Sequence, residues 1–233
     1  MSGGSHNRAA ELLLARVSEA AGRAHLGRRH ATYRAPDTAE STAPRTAAAT
    51  RALRLLRRPG GSTGSTAAAR LDLYAHGLTV AVDGRIHVVR YDTTVVRRRR
   101  QLSPRGIVRT HVLLDIDGER IVLRRDDFAE PEVWGPEIHL AVTDAQLPRA
   151  LAALARGERL DFGPVWITGT EVGSRRTAVR WAQVQRIEVL KGSVAVRAAG
   201  RWQVWGSVMS GIPNLCVLLA LAEHLSAAEC DDD

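Results

Sequence analysis

The densest charge in the sequence is Arg97-Arg98-Arg99-Arg100, with Arg105 and Arg109 following closely. Guanidinium groups present planar forks of donors that match phosphate and carboxylate oxygens two at a time. This Arg-rich stretch is a candidate anion-binding site, suited to a phosphorylated headgroup or an acidic peptide held by a hairpin loop. The plainer reading is a solvated charge run on an exposed strand edge, where charge deters pairing with another chain. Trp166, Trp181, Trp202 and Trp205 form a second group. Trp181 has the setting of a core anchor. Trp202 and Trp205 are three apart and, on a strand, point to opposite faces, so one of them is expected in solvent. Both are candidate partner contacts.

Other chemistries lack their residues. The eight histidines are scattered, and none has the H-E-x-x-H spacing that puts two imidazoles on one helix face. His111 and Asp115 can share a strand face, and His76 and His87 lie near one hairpin. Asp115-Ile116-Asp117-Gly118-Glu119 has the look of a calcium loop, but its glycine and final glutamate fall at the wrong positions. A hairpin turn accounts for it better. Cys216 and Cys230 make neither a disulfide framework nor zinc spacing. No G-x-S-x-G elbow occurs, and Gly60–Gly64 lacks the Gly-Lys-Ser/Thr ending of a phosphate loop. The reading is therefore a non-enzymatic chain with no catalytic residues, no metal and no cofactor.

The elements that must carry these residues follow from composition and periodicity. The chain has 233 residues and is 45% hydrophobic but only 4% aromatic, so its core is mostly Val, Leu, Ile and Ala. The net charge of +8 sits at the N-terminus: residues 1–64 hold 11 Arg against 4 acids, residues 65–158 hold 14 against 13, and residues 159–233 hold 8 basic against 8 acidic. A basic arm is commonly an electrostatic contact for nucleic acid or anionic lipid. Nucleic-acid binding through that arm is accordingly the rival to the binding-protein reading. The longest apolar run, Leu215–Ala222, is eight residues, against the ~20 that span a bilayer. No signal peptide is evident, and the expectation is a soluble cytoplasmic protein without a membrane-spanning segment.

Residues 5–25 read as an amphipathic helix on Leu13, Leu14 and Val17, stopped by Gly22 or Gly27. Residues 1–36 form this helix and an extended segment, and 37–69 is a polar linker rich in Ala, Thr, Ser, Gly and Arg. Residues 70–157 form a first module, 158–228 a second, and 229–233 an acidic tail. In the first, strands pair about Asp83-Gly84 and Asp117-Gly118, dipeptides suited to tight turns. Two helices should follow, Glu132–Thr143 and a second that contains Pro148–Arg156, capped by Asp144 and ended by Gly157. In the second, strands turn at Lys191-Gly192 and Gly200, and Asn214 caps a closing helix. Val89-Arg90-Tyr91 matches Val179-Arg180-Trp181, and Leu71-Asp72 matches Leu160-Asp161. At Val112 and Gly118, which match Val194 and Gly200, the offset has fallen from 90 to 82. The first copy thus holds extra residues in its Arg-rich loop.

Strands followed by a helix, twice, predict an α+β fold. The chain resembles an uncharacterised family of pleckstrin-homology-like proteins from high-GC bacteria. The resemblance lies in Leu26-Gly27, Ala31–Arg34, Leu73–Leu78, Leu147–Glu158, Val179–Val184 and Ile212–Leu215. It implies two tandem modules, each a bent antiparallel sheet or partly open barrel closed by a C-terminal helix. Such domains hold phosphoinositides in loops, so the implied partner is a protein or an anionic lipid surface. The family's usual membrane-spanning hairpin is replaced here by polar Asp37–Ala69, and membrane insertion does not carry over.

Overall fold

The computed structural model describes residues 3–36, 69–82, 84–103, 106–175, 177–208 and 211–231. Among these the chain is α+β, with three helices and four open antiparallel sheets. Helix α1 (Gly3–Arg23) comes first. Its Val17 and Ala21, one turn apart, are buried. It ends where Leu26 N–H donates to Ala21 O and His25 N–H to Gly22 O. This is the paired closure of a helix C-terminus that needs a left-handed residue. His25 takes that conformation (φ 53°), so the stop falls on a histidine and not on Gly22 or Gly27.

Strands β1 (Arg29–Arg34), β2 (Arg70–Tyr74), β3 (Gly77–Val82) and β4 (Arg85–Arg90) form a four-stranded meander. The expected opening of the first module at Arg70 is too late. Tyr33 pairs with Leu71 and Arg34 with Arg70, so residues 37–68, which lie outside those described, connect two strands of one sheet. Leu71, Leu73, Leu78, Val80 and Val89 point inward to the core. The opposite face carries Tyr74 and Val88, on which α1 packs. Strands β5 (Arg97–Ser103), β6 (Gly106–Leu114) and β7 (Arg120–Arg124) make a three-stranded meander, and α2 (Pro131–Ala155) closes the first half.

Helix α2 is continuous, although two helices were expected. Pro136 and Pro148 lie inside it. Each removes a backbone donor, at a cost of ~3 kcal/mol or more in a helix interior. Burial of Trp134, Ile138 and Val142 along one face, and of Leu154 in the last turn, opposes that cost. Gly157 ends the helix as expected: at φ 80° it donates to Leu154 O while Glu158 N–H reaches Ala153 O.

The second half repeats the order. Strands β8 (Leu160–Phe162), β9 (Val165–Ile167), β10 (Glu171–Ser174) and β11 (Thr177–Arg180) form a four-stranded meander. A single 3-10 turn (Trp181–Gln183) leads to β12 (Val184–Leu190), β13 (Ser193–Ala198) and β14 (Arg201–Val208), and α3 (Leu215–Asp231) follows. The repeat extends to single bonds. Tyr91 N–H donates to His76 O and Trp181 N–H to Thr170 O, each acceptor standing just before the third strand of its sheet. One match drawn from the sequence fails: Leu71-Asp72 is on a second strand and Leu160-Asp161 on a first.

Both halves share one core, from Tyr33 to Ala222. A polar knot helps join them. Asn214 pairs its N–H with Val96 O (2.8 Å) and accepts Val96 N–H on Oδ1 (2.6 Å). Its Nδ2 donates to Gln146 Oε1 (2.8 Å) and Thr94 O (3.3 Å). Asn214 does stand at the start of α3, but its side chain binds the first half rather than capping the helix.

Candidate functional site

The Arg-rich run lies on strand β5, not in a loop, because β5 pairs with β6 out to Ser103–Gly106. On a strand, successive side chains point to opposite faces. Arg98 shares a face with His111, which it opposes, and with Leu113 and Leu123 further in. Arg97 and Arg99 oppose Val112 and Thr110 on the other face. The four arginines therefore split in pairs between two faces, which corrects the picture of a single convergent grip. Arg97 Nη1 donates to Gly211 O (3.0 Å) beside the second half, and the Arg99 side chain is exposed. Arg100 stands directly opposite Arg109. The side chains of Arg100 and Arg109, and Arg105 altogether, lie outside the described residues.

Where β5 and β6 pass under α2, the sheet builds a part-buried polar cluster. Arg98 Nε–H donates to His139 Nε2 (3.0 Å). A guanidinium only donates, so that nitrogen carries a lone pair and the His139 proton is on Nδ1. His111 Nδ1, 3.0 Å from the same nitrogen, must then be the donor. Both imidazoles are neutral. Burial, reinforced by Arg98, pulls His111 down to about 4 and His139 down to about 3. Trp134 meets His111 edge-on, with ring centroids 5.3 Å apart. His139 Nδ1 and Trp134 Nε1 are buried with no hydrogen-bond partner among the described residues. Gly135 keeps α2 close, since a β-carbon there would stand 3.2 Å from His111 Nε2. The scattered histidines gave no sign of this pair. The available signal was His139 at helical spacing within the apolar run Trp134, Ile138, Val142.

On the other side of α2, Glu137 accepts from Tyr33 OH (3.1 Å) and lies 2.9 Å from His30 Nε2. Burial, then the Glu137 hydrogen bond, pushes Tyr33 up to about 12. Burial likewise raises Tyr91, whose hydroxyl has no partner among the described residues. These groups are held protonated and serve packing.

The tryptophans disperse. Trp181 is buried and donates from Nε1 to Thr168 O (2.9 Å). Trp166 is half-buried beneath the Arg159 guanidinium, 4.7 Å above its ring. Trp202 is 39% exposed and Trp205 only 5%, so Trp205 is withdrawn as a partner contact. The irregular pairing of β13 with β14 beyond Ala195–Val204 accompanies this split. Trp202 opposes Arg197, which opposes Arg186, and Val204 beside them is 61% exposed.

A family model described as "Family of unknown function (DUF6585)" matches residues 65–230. The chain belongs to that family. The match takes in β2 onward and leaves out α1 and β1. No curated protein matches the chain, and no solved structure matches it. No helix among the described residues is long and apolar enough to cross a membrane.

Proposed function

We propose that this DUF6585 member is a non-enzymatic binding protein made of two tandem pleckstrin-homology-like units, which meets anionic lipid headgroups through the β5–β6 hairpin. The tandem reading rests on the recurring order of four strands, three strands and a helix. The lipid reading rests on one observation, the register of the hairpin. It sets Arg100 directly against Arg109, next to Arg98 and Arg99. Like charges directly opposed in a sheet cost stability. A phosphate group between them removes that cost. In the second half the corresponding hairpin, β12–β13, also opposes two arginines, Arg186 and Arg197, but there Arg186 is neutralised by Glu188 of its own strand at 3.0 Å.

The test is partitioning onto phosphatidylcholine vesicles with and without phosphatidylglycerol. An Arg97→Ala/Arg99→Ala/Arg100→Ala variant keeps Arg98, which holds His139. Each basic side chain near an anionic surface contributes ~1 kcal/mol, so the triple variant should bind about a hundredfold more weakly. Equal partitioning of the two proteins overturns the lipid reading. Retained binding to soluble acidic peptides, with none to vesicles, points to a protein partner instead. Nucleic-acid binding by the basic N-terminal arm rests on the excess of 11 Arg over 4 acids in residues 1–64. Its test is a salt-dependent gel shift after Arg→Ala changes at 51, 54, 57 and 58, because truncation through residue 69 would also remove β1.

A further inference from the structure

The turn from β6 to β7 meets the middle of β4 where the two sheets of the first half adjoin, and Ile116 N–H donates to Val88 O there (2.9 Å). Asp115 opens this turn with its side chain only 3% exposed. Its Oδ1 accepts the backbone N–H of Asp117 (3.1 Å) and of Glu119 (2.7 Å), which fixes the carboxylate. Its Oδ2 stands 2.9 Å from His87 Nδ1, and Glu119 Oε2 stands 3.7 Å from the same nitrogen. The three donor atoms lie within 4.8 Å of one another. A metal bound at roughly 2.0–2.2 Å to each of three such donors separates them by roughly 3–3.6 Å. The two distances from His87 Nδ1 bracket that range.

The fold does not require this cluster. In the second half the equivalent strands are joined by Ala199-Gly200 alone, and β11, the counterpart of β4, has no histidine. A five-residue turn bearing two carboxylates, opposite a histidine, is an addition to a plan that closes without it. The charge balance also favours a cation. Among the described residues, the guanidinium bonded to these two carboxylates is that of Arg85, whose Nη2 is 3.1 Å from both Glu119 oxygens and whose side chain is largely in solvent. Arg85 can swing away at little cost, as exposed ion pairs contribute ~0–1 kcal/mol.

We infer that His87, Asp115 and Glu119 form a divalent transition-metal site that clips the two sheets of the first half together. One imidazole with two carboxylates selects zinc, cobalt or nickel over calcium or magnesium, which take oxygen donors in larger number. Water completes the coordination, since three protein donors leave a position open. This goes beyond the binding function proposed above and does not depend on it.

The experiment is Co2+ titration of the untagged full chain, read by the visible d–d absorption, with Zn2+ competition. The expected result is one Co2+ per chain, displaced by Zn2+ and not by excess Ca2+. Glu119→Gln should weaken binding at least about tenfold, and His87→Gln more. Arg85→Ala, which frees Glu119, should tighten it by up to about fivefold. Glu119 and Arg85 are at exposed side chains, so those two variants decide the matter even if His87→Gln fails to fold. No Co2+ absorption, binding unchanged in Glu119→Gln, or weaker binding in Arg85→Ala overturns the site.

Discussion

The two halves solve one problem differently. A four-stranded meander with its inner face in the core leaves an outer face to deal with. In the first half α1 and the turn after it cover it: Ala21 and Leu26 sit over Tyr74 and Val88, and Val17 is buried one turn earlier. Arg90, the arginine of the Arg-aromatic step, donates from Nη1 to Ala24 O near the helix C-terminus (2.9 Å). Asp92 orients that arginine and is itself held below the usual carboxylate range by it. In the second half the helix before β8 is α2, whose buried Trp134, Ile138, Val142 and Leu154 belong to the shared core. Trp166 lies across Gly173, where a β-carbon would come 2.2 Å from its ring, and Arg159 stacks above. Arg180, the counterpart of Arg90, is exposed. A sheet face can thus be closed by a helix or by one large ring on a glycine. The same sequence step is a capping group in one copy and a solvated charge in the other.

The comparison breaks most sharply at its shared anchors. Trp181→Ala should cost ~3–5 kcal/mol, because it empties a fully buried site. The chemical-denaturation midpoint reads this directly. A charge under α1 comes next. Val17→Asp should cost ~2–4 kcal/mol, with faster hydrogen exchange in β2–β4 than in β9–β11. Equal exchange in both sheets would mean that α1 is not what protects the first.

Acid should also act on one half. His111 and His139 are neutral when folded, and both titrate near 6.5 when unfolded. Between pH 6.5 and about 4 the unfolded chain therefore binds more protons, and stability falls as pH falls. The full contribution is present above pH 7, and a loss on the order of 4 kcal/mol, about 2 from each histidine, is expected by pH 5. His224, the histidine of the second half, is exposed. Denaturation at pH 7 and pH 5 should show the loss in wild type and a flatter profile in His139→Gln.

Two glycines sharpen the contrast further. A β-carbon on Gly77 would meet the Val89 carbonyl at 2.2 Å, while one on Gly173 would meet chiefly the Trp166 ring. Backbone cannot give way and a ring can turn, so Gly77→Ala should cost ~2–3 kcal/mol and Gly173→Ala about half that. The smallest effect is at the other anchor. Tyr91→Phe removes a buried hydroxyl without a partner and should be neutral or stabilising by up to ~1 kcal/mol. Thermal midpoints of the three variants check the order.

Much of the architecture was legible in the residues. Alternating Leu and Val marked the hairpins. Gly157 marked the end of α2, and Lys191-Gly192 the tight turn it makes with φ of 50° and 84°. The Arg-aromatic steps marked the repeat, because each ends the fourth strand of its sheet. β1 was missed because its partner is 36 residues on and its sequence, Arg29–Arg34, is polar on its outer face. The continuity of α2 was missed because prolines act locally, whereas the burial that overrides them depends on what lies opposite.

Sequence by itself determined the local and periodic features: most of the strands, where tight turns fall, that an order of strands then helix recurs, and that positive charge gathers on one hairpin. These follow from backbone preference and from side chains a few positions apart. Only the tertiary structure decided which groups meet. Strand register turned Arg98 toward His139, 41 residues away, and its neighbours to the opposite face. The adjoining sheets brought His87 to Asp115 across 28 residues, and Asn214 to Val96 across 118. Such encounters depend on loop lengths, register and packing angles summed over the whole chain. The hydrogen bonds that record them are short-range and form only once those sums are fixed.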